Sequence, residues 1–237
     1  MGRWHERRSV VGELRFNSDL YNNTLITELK ELPYSLFMRD FILRARKGPS
    51  SPDFSLDELG RAGHMEIVAH CITNALFYSL NIRAGVRVHI VFDGPAAPPK
   101  TVRIESDGLG SLGGFDERAL AGVIKQALQA GLHLSLEEEV QALDGVYVAK
   151  RSFESLVRDF SVRGAFYTMQ KRGSDIRDLE FAEDAAFVFS DHLSMPKKAD
   201  RFLIRLGAQP LSVGPKMLFA SQCITLVHNE LDRQGLA

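Results

Sequence analysis

The sequence has few cysteines, no excess of charge of either sign and no long apolar run. Its 237 residues include only two cysteines, Cys71 and Cys223. Both lie in apolar helical patterns, which argues against a disulfide framework and suits a reducing compartment. The formal net charge of −1 gives no global attraction for nucleic acid, so an RNA partner would need a local basic patch. No apolar run reaches the roughly 18 residues of a membrane span, and no secretory signal follows the charged N-terminus. We therefore expect a soluble, cytoplasmic protein without a membrane partner.

The first 37 residues differ in pattern from the rest of the chain. Segment 17–23 is polar, and Pro33 would stop a short helix at 25–32. More regular apolar patterning begins at Met38. We predict an N-terminal extension over residues 1–37 and one folded domain over residues 38–237. An accessory helix packed on that domain is the open alternative for the first segment.

Apolar strands alternate with amphipathic helices through the second segment. Several of these strands are apolar throughout, as strands buried on both faces are. The pattern predicts an α/β fold with a mainly parallel sheet flanked by helices. Strands are predicted at 39–46, 86–92, 100–105, 145–150, 165–170 and 185–190, and helices at 65–80, 116–130, 152–162 and 197–206. A capping-box pattern at 135–138 predicts one further short helix.

The stretch 211–231 predicts the end of a buried strand, a tight turn and a long amphipathic helix. Gly214 allows close backbone approach or a positive φ, and Pro215 is predicted to lie where the helix begins. The helix would bury one face and expose the other. The buried side is Met217, Ala220, Ile224, Val227 and Leu231, and the polar side is Ser221, Gln222, Thr225, His228 and Asn229. Such a turn either presents backbone amides to a ligand or simply reverses the chain.

Residues 108–113 read Gly-Leu-Gly-Ser-Leu-Gly, which matches the GxGxxG pattern of dinucleotide-binding folds. This motif makes a nucleotide-dependent oxidoreductase the alternative enzyme class. The preceding segment alternates polar and apolar residues, and the next helix is expected to begin only at Asp116. The fingerprint instead requires its glycines to open the helix. A flexible glycine-rich connection is therefore the favoured interpretation.

Asp191 follows the apolar strand at 185–190, and ligands of open α/β sheets bind near the carboxyl ends of strands. Its carboxylate is a candidate to accept a proton or to orient a reacting group. The simpler alternative is that Asp191 holds loop amides while His192 packs.

Other catalytic patterns are weak or missing. His64, Glu66 and His70 lack the i, i+4 spacing that would clamp a metal on one helix face, so we predict no metal site. No serine lies in a Gly-x-Ser-x-Gly motif. Basic residues could track a phosphate backbone if strand ends gather them, but scattered solvated charges are an equal alternative. They lie at 39–47, 61, 100–103, 150–151, 163 and 171–172.

Three segments resemble the tRNA pseudouridine N1-methyltransferase family: MRDFILRAR at 38–46, FVFSDH at 187–192 and GPKMLFASQCITLVHNEL at 214–231. The resemblance spans about residues 38–236. Characterised archaeal members methylate the pseudouridine at position 54 in the T-loop of tRNA. This chain has Ser190 where archaeal members have glycine, and a Gly-Pro-Lys turn at 214–216, so it looks like a bacterial-type branch whose RNA target is open.

The resemblance implies a SPOUT, or α/β-knot, fold whose C-terminal trefoil knot would involve roughly residues 187–231. It implies S-adenosylmethionine as cofactor, RNA (tRNA in the archaeal relatives) as partner, and a homodimer. By position it also implies a set of cofactor contacts. These are Met169, Ser190, Val213, Gly214, Pro215, Lys216, Met217, Leu218 and Cys223.

The implied mechanism is direct methyl transfer to N1 of pseudouridine, which must lose its proton as the methyl group arrives. Asp191 is the catalytic candidate for that proton. A non-catalytic RNA-binding relic of the knot fold is the second alternative to the methyltransferase.

Overall fold

A computed structural model describes residues 38–79 and 81–236 of the chain. The predicted extension at 1–37 lies outside the described residues. The strands are β1 Arg39–Ala45, β2 Phe77–Tyr78, β3 Asn81–Ile82, β4 Val86–Phe92, β5 Lys100–Glu105, β6 Glu139–Leu143, β7 Val146–Ala149, β8 Ala165–Asp175, β9 Ala185–Ser190 and β10 Gln209–Ser212. The helices are α1 Met65–Leu76, α2 Glu117–Ala130, α3 Phe153–Ser161, α4 Lys197–Arg205 and α5 Ala220–Arg233.

Eight of these strands form one twisted sheet in the order β10-β8-β9-β1-β4-β5-β7-β6. The strands from β10 to β4 are parallel to their neighbours. The pairs β4–β5, β5–β7 and β6–β7 are antiparallel. The predicted mainly parallel α/β fold is confirmed, with an antiparallel extension at one edge.

Helices cover both faces of the sheet, because alternate residues of the central strands point to opposite sides. Phe41 and Leu43 of β1 face one core, which α1, α2 and α5 cover. Ile42 faces the other core, which α3 and α4 cover through side chains such as Phe153 and Leu203. The central strands are therefore buried on both faces, as their continuous apolar sequences predicted.

Two helix starts follow directly from local sequence. Asp116 accepts a hydrogen bond from the amide of Ala119, and Ser152 accepts one from the amide of Ser155. Each side chain satisfies an amide that has no partner within the first helical turn. The sequence predicted the first boundary from the Asp116 cap and the second from apolar spacing alone, and the structure adds the Ser152 cap.

Three local predictions are wrong. The helix predicted at 65–80 ends at Leu76, and Phe77–Tyr78 form strand β2 instead. The Ser135 amide donates to the Glu138 carboxylate at 2.8 Å, but no helix follows, since the chain enters strand β6 instead. Likewise, helix α5 begins at Ala220 rather than at Pro215. Phe219 is the N-cap residue, and its amide donates a hydrogen bond to the side-chain oxygen of Gln222 at 3.0 Å. Residues 213–219 are therefore an irregular loop between β10 and α5.

The strand order places the carboxyl ends of β1, β9 and β10 on the same edge of the sheet. In the sheet, β4 lies next to β1 on one side, and β9 lies next to β1 on the other, with β8 beyond it. The strand order therefore reverses its direction beside β1, which makes this a topological switch point. Open parallel sheets bind ligands at such points. Among the described residues, no helix is both long and apolar enough to cross a membrane.

Candidate functional site

A cleft of about 680 Å³ opens beyond the carboxyl ends of β9 and β10 and beside the middle of β8. Its walls are the loop after β9, the loop 213–219 and the first turn of α5. The volume lies within the range of small-molecule sites. All but one of the residues implied by the resemblance line this cleft: Met169, Ser190, Asp191, Val213, Gly214, Lys216, Met217, Leu218 and Cys223. Pro215 is not among the lining residues.

The loop 213–219 offers the cleft a run of backbone groups. Gly214 has φ +139°, and a Cβ there would meet no atom within 4 Å, so the conformation rather than crowding requires glycine. Ser212 fastens the turn, since its hydroxyl accepts from the Gly214 amide at 3.3 Å. Within the described chain, the amides of Lys216, Met217 and Leu218 donate no hydrogen bond. These donors are available to a ligand.

Sequence reasoning did not predict that Met217 and Phe219 lie at the surface. It placed Met217 on the buried face of a helix. The structure leaves 79% of Met217 and 66% of Phe219 exposed. The cause is the late start of α5, which takes both residues out of the helical register. They form an apolar rim at the mouth of the cleft.

Asp191 lies at the cleft, but its carboxylate is only 3% exposed. One carboxylate oxygen accepts the Arg46 amide at 2.9 Å, and the other accepts the Leu193 amide at 2.9 Å. The residue thus ties the loop after β1 to the loop after β9. A carboxylate whose two oxygens each hold a backbone amide is engaged in positioning these loops. The hydrogen bonds match the loop-holding interpretation better than the proton-accepting one.

Sequence reasoning missed the contact between His192 and His64. His192 lines the cleft, and its ring centroid lies 4.2 Å from that of His64. His64 has φ +65° and its Nδ1 lies 2.8 Å from a carboxylate oxygen of Glu66. Neither histidine carries a local motif that would connect residues so far apart in sequence. The sequence offered one weak signal for this contact, namely that each histidine directly follows a residue typical of turns, Gly63 or Asp191.

Both cysteines are free thiols on the α1 and α5 side of the sheet. Burial raises the pKa of Cys71 far above its usual range, and the neighbouring Cys223 and Asp191 raise it further. Burial also raises the pKa of Cys223, which is 9% exposed and lines the cleft. Both groups therefore remain protonated thiols at neutral pH, which makes them poor nucleophiles.

A basic groove of about 750 Å³ adjoins the cleft along helix α4. Gln170 and Asp200 line both cavities, so the two are direct neighbours. Within the described residues, none of the cations of the groove forms an ion pair with a carboxylate. These cations are Lys197, Lys198, Arg201 and Arg205, all of them exposed. Sequence reasoning did not single out this helix, although the cations recur at helical spacing within the predicted helix at 197–206.

The glycine motif at 108–113 does not form a dinucleotide-binding turn. It follows β5, which is antiparallel to both of its neighbours, and α2 begins only at Glu117, behind the Asp116 cap. The fingerprint needs a parallel strand that leads directly through the glycines into a helix. The alternative of a Rossmann-type oxidoreductase is therefore wrong for this motif.

Residues 38–236 match the protein family described as "Putative SAM-dependent RNA methyltransferase". The chain belongs to this family. A Vibrio cholerae protein named "Putative pseudouridine methyltransferase" is 40% identical over 197 residues, which are 83% of this chain and 98% of that protein. A Vibrio vulnificus protein of the same name is 41% identical over 83% of this chain and 100% of its own length.

The methyltransferase also shares its fold with a solved structure, that of Archaeoglobus fulgidus Nep1 bound to S-adenosylhomocysteine. The TM-score is 0.56 at 12% identity, over 85% of this chain and 100% of that one. Family membership confirms the predicted enzyme class and S-adenosylmethionine as cofactor, and the likeness to Nep1 supports the SPOUT fold. In residues 38–79 and 81–236, no three His, Cys, Asp or Glu side chains are grouped as metal ligands would be.

Proposed function

We propose that this methyltransferase transfers a methyl group to N1 of a pseudouridine in RNA, with tRNA as the substrate. The observation that supports the proposal is that the 680 Å³ cleft lies directly beside the basic groove of α4. A small-molecule site beside a phosphate-binding surface suits an enzyme that modifies one nucleotide of a polyanion. The names of the Vibrio relatives support pseudouridine as the target.

The cleft fits S-adenosylmethionine through its own chemistry. Met169, Val213 and Leu218 give the apolar wall that an adenine ring needs. The amides at 216–218, without partners in the described chain, would hydrogen-bond the polar edge of the base or the ribose. Lys216 and the cleft residues Lys171 and Arg172 would face the carboxylate of the cofactor. When bound, this cofactor supplies an electrophilic methyl group on a positively charged sulfur.

The protein's contribution to the reaction is then positioning and exclusion of water. Ser190 fixes the loop after β9, since its hydroxyl donates to the Leu193 carbonyl. We assign Asp191 the same positioning role, through its bonds to the amides of Arg46 and Leu193. Cys223 would form a small, uncharged part of the cofactor wall.

Three further properties follow from the family resemblance and are part of this proposal. We place the trefoil knot at roughly residues 187–231, which end in α5. The exposed Met217, Phe219 and Leu226 lie on the cofactor loop and α5, and a second copy of the chain would cover this apolar surface. The unlinked thiols of Cys71 and Cys223 suit the cytoplasm.

Nucleoside analysis tests the reaction itself. Purified protein is incubated with total bacterial tRNA, and separately with total rRNA, and with S-adenosylmethionine labelled in its methyl group. The RNA is then digested to nucleosides. We expect labelled N1-methylpseudouridine from the tRNA. A labelled nucleoside of another kind would overturn the proposed target. Tight binding of cofactor and RNA without any labelled product would instead favour a non-catalytic relic.

A further inference from the structure

The turn before α1 brings a histidine–carboxylate pair to the edge of the cofactor cleft. His64 stacks against His192 with ring centroids 4.2 Å apart, and His192 lines the cleft. Gly63, next to His64, lines a second cavity of about 420 Å³ together with Lys47 and Arg61. His64 is not itself among the lining residues of either cavity, but its contact with His192 and its bond to Gly63 place it next to both.

The position of His64 is fixed by an unusual backbone. Gly63 and His64 both have left-handed conformations, with φ of +67° and +65°. A Cβ at Gly63 would lie 2.0 Å from the carbonyl oxygen of Lys47, so the turn packs directly on the loop after β1. For a histidine this conformation is strained, and such strain persists where the surrounding structure enforces it, often at functional sites.

The same loop after β1 also fixes His192. The Arg46 amide donates to Asp191, and the Arg46 guanidinium donates to the Ser194 carbonyl at 3.2 Å. One loop thus holds both the turn that carries His64 and the segment that carries His192. This double attachment explains how two distant parts of the sequence place their imidazoles in contact.

The hydrogen bond to Glu66 sets the tautomer of His64. A carboxylate only accepts, so Nδ1 carries the proton in the 2.8 Å bond and the neutral ring keeps its lone pair on Nε2. The side chain is 44% exposed, and within residues 38–79 and 81–236 its Nε2 makes no hydrogen bond. A ring whose far nitrogen is held by a carboxylate is the usual arrangement of a histidine general base. Two carboxylates face the two histidines: Glu66 beside His64, and Asp191, whose nearer oxygen lies 3.8 Å from Nδ1 of His192.

We propose that His64 Nε2 accepts the N1 proton of the target pseudouridine, with Glu66 orienting the ring and His192 serving as its stacking platform. This inference rests on the proposed function. As the bond between N1 and the methyl carbon forms, the bond between that carbon and sulfur breaks and its electron pair stays on sulfur. The N1 proton passes to Nε2, and the imidazolium then faces the Glu66 carboxylate and releases the proton to water. Before transfer, Nε2 accepts a hydrogen bond from N1–H.

The first test compares His64→Ala with His70→Ala in single-turnover methyl transfer to total tRNA. His70 is a matched control, because its Nε2 also contacts a carboxylate, that of Glu117 at 2.6 Å, but on an exposed surface of α1. We expect His64→Ala to lower the rate at least about 100-fold, with partial rescue by added imidazole and an unchanged dissociation constant for S-adenosylhomocysteine. Glu66→Gln keeps an acceptor for Nδ1 and should lower the rate less.

The second test needs no cofactor. Three synthetic T-arm hairpins carry uridine, pseudouridine or N1-methylpseudouridine at the same loop position, and their affinities are measured with wild type and His64→Ala. Wild type should bind the pseudouridine hairpin at least about threefold more tightly than the methylated one, and His64→Ala should lose this preference. Absence of the preference in wild type would overturn the proposed hydrogen bond.

The two tests separate the possible failures. A wild-type transfer rate in His64→Ala would overturn the inference and leave the proposed function intact. An equal loss of methyl transfer and cofactor affinity would show that His64 only supports the fold. If wild type transfers no methyl group to pseudouridine in any RNA, the proposed function and this inference fall together.

Discussion

His228 of α5 lies 2.9 Å from the guanidinium of Arg39 at the start of β1, with Nδ1 as the acceptor. Its Nε2 lies 2.9 Å from the Ala75 carbonyl in α1 and is the donor there. These two bonds require the neutral Nε2–H tautomer. Arg39 continues the connection to Asp232 at 3.0 Å. The C-terminal helix is thus fastened to the first strand by a buried, hydrogen-bonded imidazole.

Protonation of His228 should make the protein less stable in acid. Burial, together with Arg83 and Arg39, lowers the pKa of His228 to about 3, while the unfolded chain keeps about 6.5. The unfolded state therefore binds more protons between these values, and stability falls as the pH drops from about 6.5 to 3. The full effect is on the order of 3–5 kcal/mol. This loss of stability should lower the urea concentration at the midpoint of unfolding at pH 4.5 relative to pH 7.

Replacement of this imidazole checks the assignment. His228→Gln should lower stability at pH 7 by about 1–3 kcal/mol through imperfect hydrogen bonding, and should narrow the difference between pH 7 and pH 4.5. The exposed His133 is the control, since His133→Gln should leave that difference unchanged. An unaltered pH dependence in His228→Gln would show that other groups govern acid unfolding.

Replacement of Asp191 separates its two interpretations. Asp191→Asn keeps one oxygen acceptor, so one of the amides of Arg46 and Leu193 loses its partner. We expect a loss of about 1–3 kcal/mol in the free energy of unfolding and weaker binding of S-adenosylhomocysteine, because both loops at the cleft are released. A variant with normal stability and cofactor affinity, but little methyl transfer, would restore Asp191 as the proton acceptor.

Cys223 should tolerate a smaller side chain and reject a larger one. Cys223→Leu adds volume at the wall of the cleft, and we expect it to weaken S-adenosylmethionine binding at least about tenfold, or 1.4 kcal/mol. Cys223→Ala is the matched control and should bind within about threefold of wild type. Calorimetry measures both affinities, and thermal unfolding shows whether Cys223→Leu remains folded. Equal affinities in the two variants would remove Cys223 from the cofactor site.

The sequence predicted those features that depend on local patterns. Apolar runs located β1, β4 and β9, the cap at Asp116 located α2, and apolar residues at helical spacing located α3. His228 was placed wrongly on a polar face, because a helical projection assumes one buried side. Helix α5 packs on the sheet and also on α1, so its buried surface is wider than one stripe.

The cleft was predictable only in part, because some of its contacts join parts of the chain that are distant in sequence. Its main loop at 213–219 is continuous in sequence, so a family resemblance could locate it. The contact of His64 with His192 depends on two loops that meet only through the strand order of the sheet. No local pattern specifies that contact. The cationic face of α4 could have been predicted from the helical spacing of its basic residues, but its position beside the cleft depends on the fold.

The basic groove of α4 should control RNA affinity without affecting the cofactor. Its cations lie outside the cofactor cleft, and contacts to phosphates depend steeply on salt. The double variant Lys198→Gln/Arg201→Gln should weaken tRNA binding about tenfold at low salt and reduce the slope of log affinity against log salt by about 1–2. The control is Arg118→Gln/Arg233→Gln, which removes the same charge from the helices of the opposite sheet face. Fluorescence anisotropy with labelled tRNA at several salt concentrations measures both slopes. If the two double variants lose affinity equally, net charge rather than the α4 groove binds the RNA.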